Sequence, residues 1–203
     1  MPRVTYIVSA SNRPASLPCC LWSLKVQTDP DFEVIVADNA ADEWTQERHA
    51  CVVSSLCDER IRHVNTHRHA SSPAWDCYWS AEWVVANCAR GEWICLPSDD
   101  SYYVPVFQET LLKAATEKHW KFVYCDMLYD RRMHGRYEKL DVQPWRGAID
   151  KTGFLIRRDA WIGFPLKPTD APRASTCDGD MAAELVKRGV PHGKVNEVLV
   201  VHN

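Results

Sequence analysis

Apolar segments of strand length alternate with helical segments through the first hundred residues, and this alternation constrains the fold more than any other feature. The predicted strands are 4–9, 32–37, 61–65 and 92–96. The predicted helices are 14–27, 42–56 and 72–90, the last opened by a Ser-Pro pair. Strand–helix–strand units at these spacings imply right-handed crossovers and a mostly parallel central sheet with helices on both faces.

The second half of the chain continues the α/β pattern less regularly. Helices are predicted at 105–118 and 180–188, the latter ended by Gly189, and strands at 122–125 and 197–201. A chain of 203 residues with 46% hydrophobic content can bury a full core. We therefore expect one α/β domain over residues 1–203.

Charge and composition exclude several classes of partner. A net charge of −3 argues against broad electrostatic binding to nucleic acid or to an anionic membrane. We expect no signal peptide and no transmembrane segment, because no apolar stretch has the required length. The nine cysteines form no Cys-x-x-Cys pair, so we expect mostly buried thiols in a reducing cytoplasm. A zinc site built from scattered Cys and His is the alternative.

Two adjacent carboxylates, Asp99 and Asp100, follow the predicted strand 92–96. The carboxyl edge of an open α/β sheet is where such folds bind ligands. Carboxylate oxygens there suit Mg²⁺ or Mn²⁺, and such an ion could hold a diphosphate. A solvated turn is the alternative interpretation. The position of the pair, after three strand and helix units, favours the metal site.

Five segments carry a resemblance to a known family. They are 4–14 (VTYIVSASNRP), 32–39 (FEVIVADN), 89–100 (ARGEWICLPSDD), 153–160 (GFLIRRDA) and 178–189 (DGDMAAELVKRG). In this order they are similar to segments of the family 2 glycosyltransferases with the GT-A fold. The resemblance implies one GT-A domain, with a nucleotide-sugar-binding half at 1–101 and a smaller acceptor-side half at 102–203.

The resemblance also implies an activity. It is that of a metal-dependent, inverting glycosyltransferase that moves a single sugar from a nucleotide-diphosphate donor, expected to be a UDP-sugar, to a hydroxyl acceptor. Mn²⁺ or Mg²⁺ is the implied cofactor. A sugar-nucleotide- or glycan-binding protein that has lost turnover is the main alternative. A nucleotidyltransferase is a weaker one, since residues 9–13 (SASNR) are not glycine-rich.

The implied donor-binding residues lie at the ends of predicted strands. They are Ser9, Ala10, Ser11, Arg13, Asp38 and Asp99. In the family, the Asp that ends the second strand reads uracil, a role that falls here on Asp38. Asp99 would hold the ribose or a metal-bound water. From the residues alone, Asp38 is equally a turn residue before Asn39.

The implied metal ligands are Asp100 and His202, and the implied general base is Asp178. A carboxylate within hydrogen-bond reach can take the proton of an acceptor hydroxyl as the new bond forms. The alternative role for Asp178 is a helix N-cap, for which Asp180 competes. For His202 the alternative is a frayed chain end.

The chain departs from the family pattern at three places. Ser98 stands where the acidic motif usually begins with Asp, and Gly179 where the family more often has Trp in a Glu-Asp-Trp-Asp segment. The stretch 75–83 contains no Arg to face the diphosphate. We therefore expect the charge of the diphosphate to be balanced by the metal or by Arg68 or Arg158.

Overall fold

The computed structural model describes residues 2–66, 73–130, 136–164 and 177–203, without the side chains of 73–77. Within these ranges nine strands form one sheet. The strands are β1 (Val4–Ala10), β2 (Phe32–Asp38), β3 (Ile61–Asn65), β4 (Trp93–Cys95), β5 (Ser101–Tyr103), β6 (Phe122–Tyr129), β7 (Glu138–Leu140), β8 (Phe154–Arg157) and β9 (His192–His202). The helices are α1 (Leu17–Lys25), α2 (Glu43–Ser55), α3 (Pro73–Asn87), α4 (Phe107–Lys118) and α5 (Cys177–Lys187).

The sheet has the order β3-β2-β1-β4-β8-β6-β9-β5, with β7 paired to β6. Strands β1 to β4 are mutually parallel where they pair. Because β8 is antiparallel to both β4 and β6, and β9 is parallel to β6, the strands β1–β4, β6 and β9 all point the same way. The predicted α/β class with a mostly parallel sheet is confirmed.

Burial on both faces explains why the first strands are continuous apolar runs. Every residue of β1 and of β2 is buried. Parallel strands with helices on both faces have no solvent side that would favour alternating polar residues. The same packing places the carboxyl ends of β1, β2 and β4 at one edge, where polar residues follow each strand.

The strands that the sequence analysis missed are short or paired antiparallel. β5 and β7 have three residues each and β8 has four, too few for a periodic pattern to be recognised. β9 begins at His192 instead of 197, and its pairing with β6 contains register shifts. Ser72, the predicted cap of α3, lies outside the described residues.

Candidate active site

Six chain segments converge at the carboxyl edge of the sheet. They are the ends of β1, β2, β4 and β9, the residues just before β8, and the first turn of α5. The chain after β4 stays close to the end of β1, since Ser9 N–H donates to Pro97 O at 3.2 Å and Ser9 pairs with Ser98. Open α/β sheets bind their ligands at this edge.

Asp99 and Asp100 are buried at this edge, with Arg13 on their exposed side. Arg13 Nη2 lies 2.7 Å from Asp99 Oδ1, and Nη1 contacts Asp100 Oδ2. Burial raises the pKa of Asp99 to about 6, a rise that Arg13 opposes and Asp100 reinforces. The sequence analysis placed the three residues together at the nucleotide and metal site, and the structure brings them into contact.

Asp100 has an oxygen that fits a metal ion. Oδ1 is buried and has no hydrogen-bond partner among the described residues, and it lies 3.5 Å from Nδ1 of His202. A buried acceptor without a donor is costly, so a cation is the natural partner of this atom. Carboxylate oxygen with imidazole nitrogen is a donor set that Mn²⁺ accepts. No group of three or more His, Cys, Asp or Glu in the described ranges has metal-binding geometry.

His202 is held in place at the end of β9. It pairs in register with Ser101 of β5, its ring stacks on Tyr129 at 5.0 Å, and Nδ1 lies 3.0 Å from Ser101 Oγ. The frayed-end alternative is therefore wrong. Nδ1 thus faces both Ser101 Oγ and Asp100 Oδ1, while Nε2 lies 3.9 Å from Asp150 Oδ2, beyond hydrogen-bond distance.

Asp178 lies in the first turn of α5 and is 7% exposed. Oδ1 accepts from the Tyr78 hydroxyl at 2.6 Å and Oδ2 from Lys151 N–H at 2.9 Å. The side chain therefore binds residues outside its own helix, so the N-cap alternative is wrong. Burial raises the pKa of Asp178 to about 6, with nearby Asp150 adding to the rise. Asp180 is instead tied to Arg146 by two bonds of 2.7 Å.

Lys151 is a site residue that the sequence analysis missed. Its side chain is 8% exposed, and Nζ donates to Ser98 Oγ at 2.8 Å and to Leu96 O at 3.3 Å. A buried lysine is uncommon and brings positive charge beside the acidic pair. A single Lys in an irregular segment gives no periodic signal. The only sequence hint is the sharp turn, in which Asp150 caps the residues before β8.

The expected role of Arg158 is wrong, and that of Arg68 lies outside the described residues. Arg158 follows the carboxyl end of β8, which is antiparallel to β4, and Nη1 donates to Ala89 O at 2.8 Å. It therefore lies at the opposite edge of the sheet from Asp99 and Asp100. Among the described residues, Arg13 and Lys151 are the cations beside the acidic pair.

Asp38 ends β2 and is fully buried. Oδ1 accepts from Ala40 N–H at 2.8 Å, and Oδ2 lies 3.0 Å from His49 Nδ1 and 2.7 Å from His63 Nε2. Burial alone would raise the pKa of Asp38, but the bonds from the two histidines and Ala40 outweigh it and hold that pKa well below its usual range. In the structure Asp38 thus orients the rings of His49 and His63 at the carboxyl end of β2.

Gly179 marks a close approach of two chain segments. A Cβ at this position would lie 2.4 Å from Arg146 Cα and 2.8 Å from Trp145 O. The backbone of 145–146 occupies this space, so no side chain fits where the family more often has Trp. Trp145 itself is exposed on the same segment. Packing against the backbone of 145–146 therefore explains why this chain has Gly179 where the family more often has Trp.

Gly179→Val is expected to lower the free energy of unfolding by at least about 1–3 kcal/mol, the usual cost of overpacking, because neither backbone can yield cheaply. Chemical denaturation measures the change. Ala183→Ser, at an exposed position of the same helix, is the control and should stay within about 0.5 kcal/mol of the parent. A Gly179→Val variant as stable as the parent would contradict the packing account.

Comparisons with known proteins agree with this geometry. Residues 5–166 match the glycosyl transferase family 2 model, and the chain belongs to this family. An uncharacterized glycosyltransferase of Haemophilus influenzae is 25% identical over 132 residues, which are 62% of this chain and 40% of that protein.

Two solved structures share the fold along almost the whole chain. S. aureus TarS 1–349 in complex with UDP-GlcNAc has a TM-score of 0.71 at 15% identity and covers 99% of this chain and 58% of that one. The mannosyltransferase PcManGT from Pyrobaculum calidifontis, in complex with GDP-Man and Mn²⁺, has a TM-score of 0.74 at 19% identity and covers 99% and 56%. The chain thus spans less than two thirds of the length of these relatives.

The helices give no indication of a membrane span. In the described ranges, none combines the length and the apolar composition that crossing a bilayer requires.

Eight of the nine cysteines have described side chains, and all eight are free thiols.

Proposed function

We propose that the protein is a metal-dependent, inverting glycosyltransferase that transfers a single sugar from a nucleotide-diphosphate donor, most simply a UDP-sugar, to a hydroxyl acceptor. The observation that carries the proposal is the convergence of buried Asp178, whose pKa is raised to about 6, with Asp99 and Asp100 at one edge of the sheet. The chain's family and the UDP-GlcNAc and GDP-Man complexes of its structural neighbours support the donor class.

The donor is assigned to the ends of the first two strands and the segment after β4. Backbone groups of Ser9, Ala10 and Ser11 approach the nucleotide where β1 ends, and Asp99 faces the ribose or a metal-bound water. Arg13 and Lys151 supply positive charge for the diphosphate. Residues 1–101 form the donor-binding half and 102–203 the acceptor-side half of a single domain.

Asp100 and His202 are the proposed metal ligands. Mn²⁺ or Mg²⁺, when bound, neutralises the charge that develops on the diphosphate leaving group. The Tyr129 ring and Ser101 Oγ hold the imidazole of His202, and the Asp150 carboxylate adds negative charge 3.9 Å from Nε2. With only these two protein ligands, a bound ion would also take phosphate oxygens and water, as is usual for hard cations bound with nucleotides.

Asp178 is the proposed base. Its carboxylate takes the proton of the acceptor hydroxyl as the oxygen attacks the anomeric carbon, and the nucleotide diphosphate leaves from the opposite face of the sugar. The Tyr78 hydroxyl and the Lys151 N–H fix the carboxylate without protonating it. One base and no protein nucleophile give a single displacement, which inverts the anomeric configuration.

Release of nucleotide tests the proposal. UDP-GlcNAc, UDP-glucose and GDP-mannose are incubated with the protein and Mn²⁺, with and without a panel of simple glycosides as acceptors. Release of the nucleoside diphosphate that rises with one acceptor supports the proposal. Tight donor binding with no release from any donor would favour the second candidate, a binding protein without turnover, which the Ser98 departure motivates.

UDP is expected to compete with the donor about 10- to 100-fold more strongly than CDP. Uracil can add an N–H bond to Oδ1 of Asp38, which otherwise accepts from Ala40 N–H, whereas cytosine offers no such donor. A hydrogen bond to a charged group contributes about 1.5–3 kcal/mol. Competition assays with the two nucleotides measure the ratio, and Asp38→Asn should narrow it. Equal inhibition by UDP and CDP would leave Asp38 with its role toward His49 and His63 alone.

A further inference from the structure

The acidic pair is ion-paired with an arginine. The guanidinium of Arg13 reaches Asp99 Oδ1 and Asp100 Oδ2 together, while the side chains of both carboxylates are almost fully buried. Arg13 itself is 46% exposed at the side chain and covers the pair from the solvent side. The guanidinium therefore neutralises charge on the same Asp100 carboxylate that offers its other oxygen, Oδ1, to a divalent ion.

The backbone around Arg13 is fixed although its side chain is exposed. The Arg13 carbonyl accepts from Ser16 N–H at 3.3 Å and from Ser16 Oγ at 3.0 Å, in the turn that leads into α1. Among the described residues, the two ion pairs are the side-chain contacts of Arg13. The guanidinium can therefore move away without disturbing the fold, and the turn keeps it within reach of the site.

A divalent cation on Asp100 Oδ1 would share one carboxylate with the guanidinium, which contacts Oδ2, so the two cations would repel each other strongly. One Arg and two carboxylates carry a net charge of −1, and a bound Mn²⁺ would bring three positive charges against two negative ones in a buried place. Like charges in contact inside a protein disfavour each other strongly. Binding of the metal should then be linked to departure of Arg13.

We propose that Arg13 is a resident counter-ion that the metal displaces, and that the released guanidinium then binds the diphosphate of the donor. This inference rests on the proposed function, because it assumes a metal and a nucleotide at this edge. Arg13 would then oppose binding of the metal and favour binding of the nucleotide diphosphate. Removing it should strengthen binding of the metal alone and weaken binding of the nucleotide with metal.

The Arg13→Gln variant tests both effects, on binding of the metal and on binding of the nucleotide. Free Mn²⁺ is followed by electron paramagnetic resonance without nucleotide, and UDP binding by calorimetry in saturating Mn²⁺. Because a neighbouring charge shifts the affinity of a buried site by about 10- to 1000-fold, Mn²⁺ should bind the variant at least about tenfold more tightly. UDP should bind it more weakly than it binds the parent. Arg13→Lys keeps the charge and should retain a Mn²⁺ affinity close to that of the parent.

The control is Arg60→Gln, which removes another arginine–carboxylate pair, with Nη2 at 2.7 Å from Asp58 Oδ2, remote from the site. It should change neither affinity. If the parent binds UDP and Mn²⁺ but a normally folded Arg13→Gln variant binds Mn²⁺ no more tightly than the parent, the inference is overturned and the proposed function stands. Absence of Mn²⁺ and UDP binding from the parent as well would overturn the proposed function and the inference with it.

Discussion

Asp178→Asn is expected to lower the rate of sugar transfer by about 10²-fold or more while binding of UDP stays unchanged. Asn keeps the shape of Asp, and its Oδ1 can accept from Lys151 N–H while its Nδ2 donates to the Tyr78 hydroxyl oxygen, but it cannot take a proton at neutral pH. Steady-state transfer rates and UDP calorimetry on the same preparations measure the two effects. Asp180→Asn is the matched control, because Asp180 lies on the same helix turn and is tied to Arg146. A control variant that loses as much rate would move the base to Asp180.

Two further readouts separate a base from a structural carboxylate. The pKa of Asp178 is raised to about 6 in the folded chain, so the base gains its charge as pH rises through about 6, and kcat/KM should rise over that interval. The raised pKa also means that ionisation costs folding stability, a loss that builds up between the ordinary value of 3.8 and about pH 6 and is complete at pH 7. Asp178→Asn avoids this cost and should melt no lower than the parent at pH 7. A large fall in melting temperature would indicate a structural role.

Asp100→Asn is expected to weaken Mn²⁺ binding by more than the about 10- to 100-fold that loss of an outer-shell partner costs. The amide has no charge, and Oδ1 of Asp100 is the buried oxygen that lacks a hydrogen-bond partner in the described part of the chain. Titration followed by electron paramagnetic resonance gives the affinity. Asp58→Asn, which loses only its pair with Arg60, is the control and should bind Mn²⁺ as the parent does. Unchanged affinity in the Asp100 variant would remove this residue from the metal site.

The centre of the parallel half was predictable because β1 and β2 are buried on both faces. β2 ends within one residue of its predicted position, since its apolar run stops where polar residues begin. The edge strand β3 also matches its predicted bounds, although four of its five residues are partly exposed. The short strands β5, β7 and β8 were not predictable, because their residues are selected by pairing partners distant in the sequence. The helix α5 begins three residues earlier than predicted, at Cys177, since tertiary contacts of Asp178 hold its first turn.

The candidate site also contains residues that were predictable from local sequence and residues that were not. Asp99 and Asp100 were predictable from their place after a buried strand. The approach of His202 to Asp100 depends on the register of β9 against β5, which no local pattern reveals. Lys151 gave no signal, because its burial depends on how β8 enters the sheet beside Ser98. Local sequence thus indicates which strand ends carry polar chemistry, whereas topology decides which of them meet.

The central claim is that a nucleoside diphosphate and a divalent ion bind together at this edge of the sheet. Calorimetric titration of UDP into the chelator-treated protein, with and without Mn²⁺, tests it most directly. We expect Mn²⁺ to tighten UDP binding in the parent and to have little effect in Asp100→Asn. UDP binding that is equally tight with and without Mn²⁺, or no UDP binding in either condition, would contradict the account.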